Sequence, residues 1–242
     1  MILRSETQRR FVAALTILSL LCIGLFSLKL FSSGTSDYFF IPGNLVLAWA
    51  SLIFAWLLSG RLADTSWRTW PNVLLTLAWL VFLPNSWYVI TDLIHLNPAG
   101  EVGQLYDIVL IDCLVLCGFL LGFSSLYIIH RELLKRLPAR VSLVIIEGVI
   151  LLSSFAIYLG RILRWSTWDI ITNPTGIILN ISDRVVHPTA YGNSFAVTAL
   201  FFVALSVMYL AFWIFIQPLP KFRRWNPSLC IINKYAGSYS GY

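Results

Sequence analysis

FLPNSWYVITDLIHL, residues Phe82–Leu96, decides how this chain folds. It begins as the second half of an apolar run and turns polar before the run ends. Pro84 has no N–H, and its ring clashes with the preceding turn, so the helix is expected to break there and leave the Leu80 carbonyl without its donor. Asn85 and Ser86 follow at once, polar at a depth where a plain membrane helix carries Leu or Val. Asp92 and His95 close the stretch three residues apart, which places them on one helix face.

The apolar run that leads into this stretch, Asn72 to about Thr91, has about the 20 residues needed to cross hydrocarbon at a rise of about 1.5 Å each. Five more apolar runs are read as spans: Phe11–Phe31, Leu45–Ser59, Tyr106–His130, Val141–Leu163 and Asn193–Ile216. Composition agrees. The chain is 58% hydrophobic and 12% charged, about half the charged share of soluble domains. A net charge of +6 would suggest nucleic acid in a soluble protein. Here it reads as basic loops anchored beside a bilayer, and no nucleic-acid partner is expected. Backbone groups cannot stay unpaired in lipid, and the runs are too long and too continuous for barrel strands. The expected fold is therefore all-α: a polytopic membrane protein of about six transmembrane helices, the third broken at Pro84. Residues 1–10 form a short N-terminus, 11–217 the membrane domain and 218–242 a polar tail. The first run exceeds a signal-peptide core and is read as an uncleaved span.

Counting basic residues on alternate sides orients the chain. The N-terminus, the Arg61–Arg68 and Arg131–Arg140 connectors and the tail carry 13 of the 17 Lys and Arg residues. The positive-inside rule then puts both termini in the cytoplasm of a cell whose inner membrane the protein spans. Lys29, Arg161, Arg164 and Arg184 oppose the rule.

Three of these lie in or beyond a second notable stretch, GRILRWSTWDIITNP at Gly160–Pro174. Arg161 and Arg164, one turn apart, match a two-guanidinium clamp for a carboxylate or phosphate, with Trp165 and Trp168 as walls. Cations at a helix C-terminus also suit the dipole and can snorkel to headgroups. Asp92 and His95 are candidates for proton transfer. Two potential ligands do not make a metal signature, no metal site is assigned, and no cofactor is named by the sequence. Asn85, Asp107, Arg161, Arg164, Trp168 and Asp169 are the expected ligand-binding residues. Asp107 also fits a carboxylate in the first turn of a helix. Asp112 and Glu147 lie deeper, where carboxylates usually face the bundle interior. Cys113 and Cys117 suit helix packing better than a soft metal.

Both stretches, with Tyr106-Asp107 and the run LGFSSLYIIH at Leu121–His130, resemble a family of multi-spanning bacterial membrane proteins known as domain of unknown function 1361. The resemblance covers about residues 40–215. Positions 166 and 167 hold Ser166 and Thr167, where that family often has Asn and Ser. It implies a multi-span membrane domain and no established activity.

Three functions fit these readings. One is a membrane enzyme or binding protein for an anionic or lipid-linked substrate, with its polar site at the extracytoplasmic face. The second is a small-solute or ion transporter with Asp112 and Glu147 on its path. The third is a structural or assembly subunit whose charges lock helices together.

Overall fold

The computed structural model describes residues 6–33, 38–95, 101–162, 172–173, 175–176, 179, 182 and 192–216. Among them the secondary structure is entirely helical, and six helices are long and apolar enough to cross a membrane. They are α1 (Glu6–Ser33), α2 (Phe40–Arg61), α3 (Trp70–Tyr88), α4 (Glu101–Leu134), α5 (Ala139–Ile162) and α6 (Gly192–Ile216). A 3₁₀ segment, Val89–His95, extends α3.

Helix starts and stops follow local chemistry. Pro71 sits in the first turn of α3, where its missing N–H costs nothing. Pro138 precedes α5, and its carbonyl accepts the backbone N–H of Ser142 at 3.0 Å. α2 starts at Phe40, ahead of the apolar run read from Leu45, and takes Pro42, Gly43 and Asn44 into its first turns.

The expected break at Pro84 is not seen: α3 is continuous from Trp70 to Tyr88 with the proline inside it. Membrane helices tolerate proline when neighbouring groups satisfy what it frees. Beside the proline, Asn85 Nδ2 lies 3.5 Å from the carbonyls of Val81 and Phe82, and Ser86 Oγ meets Ser51 Oγ of α2 at 3.0 Å, though neither contact reaches the Leu80 carbonyl that the proline frees. The change of winding comes five residues later. The 3₁₀ segment runs for 7 residues, longer than the usual three or four. It places every third residue on one ridge, so Asp92 stands over the fully buried Val89 and is itself turned inward.

α4 is the hub and touches each of the other five helices. Lipid supplies no hydrophobic drive between helices, so small residues and interhelical hydrogen bonds do that work. Gly118 and Gly122 of α4, one turn apart, let the Ser86–Val89 end of α3 approach to contact. Trp79 donates its indole N–H to Ser125 of α4 at 3.2 Å. Around these contacts lie two apolar clusters. One joins α2 to α6 through Trp79, Trp87, Phe123 and Tyr209. The other seats α1 on α2 and α4 through Leu15, Cys22, Leu45 and Leu114. Cys113 and Cys117 belong to this second seam: Cys117 Sγ lies 3.2 Å from Ser19 Oγ, and the Cys113 thiol faces the Leu18 carbonyl at 3.9 Å.

Candidate functional site at the Asp92 end

The inward turn of the 3₁₀ segment brings Asp92, 3% exposed, between α2 and α5. Asn44 of α2 donates its amide to Asp92 Oδ2 at 2.9 Å. From the last turn of α5, Arg161 brings Nη1 to 3.7 Å from Asp92 Oδ1. Tyr88, one turn before Asp92, accepts from the same Nη1 at 3.4 Å and lies with its ring 6.0 Å beneath the guanidinium. Three helices thus converge on one carboxylate and one guanidinium. The ion pair is long. Nearby in the sequence of α4, Lys29 of α1 and Asp107 meet at 2.7 Å, a full ångström closer. At 3.7 Å the contact is an ion pair longer than a hydrogen bond.

The structure places the expected residues unevenly. Asp92 and Arg161 come together. Asp107 pairs instead with Lys29, and because α4 starts at Glu101 it lies beyond the first turn rather than within it. Asn85 turns its amide back to its own helix. Arg164, Trp168, Asp169 and the side chain of His95 lie outside the described residues. Asp112 does not face the bundle interior as intramembrane carboxylates usually do; it is exposed. Glu147 is half-buried and accepts from Ser206 of α6 at 2.6 Å.

Asn44 and Tyr88 were not anticipated. Tyr88 stands four residues before Asp92, a visible helical spacing. Asn44 gave no such signal, since its partner is 48 residues away. The buried Glu132 at the opposite end was missed as well. It collects Ser59 of α2 at 2.8 Å, Lys135 at 2.5 Å and Arg136 at 2.9 Å, while Arg136 also donates to the Leu62 carbonyl at 2.6 Å. Its i+3 and i+4 basic partners were legible in the sequence. Among the described residues, no group of three or more His, Cys, Asp or Glu side chains is placed to hold a metal ion.

The fold and its paired charges define a multi-span helical membrane protein with polar clusters at both ends of the bundle. Residues 43–208, the greater part of the chain, match the family described as Protein of unknown function (DUF1361). The chain belongs to that family. No curated protein and no solved structure matches it.

Proposed function

We propose that the Asp92 end faces the extracytoplasmic side and binds an anionic headgroup, free or lipid-linked, with Arg161 as its receptor. The observation that carries this reading is the convergence of Asn44, Tyr88, Asp92 and Arg161 from three helices at one end of the bundle, with the Asp92–Arg161 contact at 3.7 Å. Asn44 fixes the carboxylate and Tyr88 the guanidinium, so an arriving phosphate or carboxylate meets an oriented donor fork. Asp92 is then the internal anion that the ligand displaces. Its carboxylate, beside the Arg161 guanidinium, is also placed to accept a proton at this site. A transport path through Asp112 and Glu147 has less support, because two carboxylates on one path would both face the interior and Asp112 is exposed.

Binding is tested with dodecyl phosphate and with inorganic phosphate added to detergent-solubilised protein, read by the shift in unfolding temperature. Wild type should be stabilised by dodecyl phosphate and Arg161→Gln should not. Asp92→Asn should bind more tightly than wild type, because it removes the competing anion. If Asp92→Asn destabilises the protein and the double variant with Arg161→Ala costs little more than either single change, the pair is structural and the proposal fails.

The orientation rests on the bias of basic residues and has its own check. Single cysteines at Leu137, Asn97 and Thr172, in a chain lacking its native cysteines, are treated in intact cells with a membrane-impermeant maleimide. Asn97 and Thr172 should label and Leu137 should not. The reverse pattern would turn the protein over and put the Arg161 site in the cytoplasm.

A further inference from the structure

From Cys117 to His130 no residue of α4 is exposed, but its earlier turns leave one stripe open. The stripe is Val102, Leu105, Val109, Asp112 and Leu116, all exposed, with Gln104 exposed to one side of it. The spacings alternate three and four, which is the seam of two parallel helices wound left-handedly about each other. A surface that meets only lipid has no use for a carboxylate in its middle, and an unpartnered one there is costly. Among the described residues no hydrogen bond or ion pair to Asp112 is present.

We infer that this stripe is a self-association surface, on which α4 packs against α4 of a second copy with Asp112 meeting its own counterpart near a two-fold axis. Symmetry supplies what Asp112 lacks. An axis along the membrane normal brings the same residue of both copies to the same depth, whatever that depth is. Hydrogen bonds between facing polar side chains are a means by which helices hold together in lipid. A single polar residue at a seam position is also the device that sets register and copy number in helix pairs. Other partners for Asp112 within a second copy are poorer. Lys29 and Arg161 each lie within ion-pair reach of a carboxylate of their own chain.

The test uses the full chain in membranes, with the native cysteines replaced and single cysteines introduced at Leu105, Val109 or Leu116. Leu152 of α5 and Leu200 of α6 are equally exposed controls. Mild oxidation should give a covalent dimer from the three α4 positions and little from the controls. Dimer no stronger at the α4 positions than at the controls overturns the inference, as does a cross-linked product whose mass is not that of two copies. Asp112→Leu should lower the dimer fraction in single-molecule photobleaching by about fivefold, and Asp112→Asn should preserve it, since two amides can pair. An Asp112→Leu protein that dimerises like wild type also overturns it. Should that variant fail to fold, the cross-linking comparison decides alone.

Discussion

Gly118→Leu and Gly122→Leu will each abolish the folded protein, and the corresponding alanine variants will lower its unfolding temperature sharply. A Cβ at Gly118 falls on the carbonyl oxygen of Ser86 and 2.8 Å from Val89 Cγ2. At Gly122 it falls 2.6 Å from Trp87 Nε1 and 2.8 Å from Ser86 Cβ. Ser86 cannot retreat, because its hydroxyl is held by Ser51 on the far side, and Trp87 is fully buried. Overpacking of a core costs about 1–3 kcal/mol and more where backbone is struck, so both alanine variants should sit at or above the top of that range. Gly148→Ala is the control. No atom lies within 4 Å of its added carbon, and its unfolding temperature in detergent should match wild type or exceed it slightly, since alanine favours helix. If Gly118→Ala and Gly148→Ala melt alike, the close approach of α3 to α4 is not what holds the bundle. The same substitutions bear on the candidate site, because Val89, pressed against Gly118, lies at the start of the 3₁₀ segment that turns Asp92 inward.

Glu132→Ala should be the most damaging change at the opposite end. Glu132 is 5% exposed and its two oxygens join Ser59 of α2 to Lys135 and Arg136. Arg136 in turn fastens the end of α2 through the Leu62 carbonyl and lies 5.9 Å from the Trp67 ring. Removing one partner of a buried ion pair costs about 3–5 kcal/mol. The loss here should fall near the lower figure, because Lys135 and Arg136 keep contact with water. Glu132→Gln keeps an acceptor for Ser59 and should lose roughly half as much, a neutral hydrogen bond being about half as strong as a charged one. Equilibrium unfolding in detergent measures both. Equal stability of Glu132→Ala and wild type would show that the cluster is only a solvated surface network. Adding salt should change the difference little, since a buried carboxylate is poorly screened.

Much of this molecule was legible before any coordinates. Continuous apolar runs, too long for strands and nearly free of charge, determine six helices and a bilayer, because no other backbone arrangement satisfies its hydrogen bonds in lipid. Span limits read from composition differ from the observed helices by a few residues, as at Phe40–Arg61 against Leu45–Ser59. The pairing of Arg161 with an acidic residue was also readable, because an arginine placed against the charge bias needs a counter-ion.

What the sequence could not decide is which residues meet across helices. Local spacing relates side chains on one helix and says nothing of a partner on another. Asp92 was legible, but that Asn44 holds it and Tyr88 receives Arg161 depends on how three helices are packed. Proline chemistry foretold a break at Pro84; the helix instead runs through it, and the change of winding comes at Val89. Asp112 and Glu147 looked alike as carboxylates within spans. Only the rotation of α4 and α5 against their neighbours turned one outward and gave the other a hydroxyl from α6. The close approach of α4 to α3 is set where glycine permits contact, at Gly118 and Gly122, and the glycines acquire that meaning only once Ser86 and Trp87 stand opposite them.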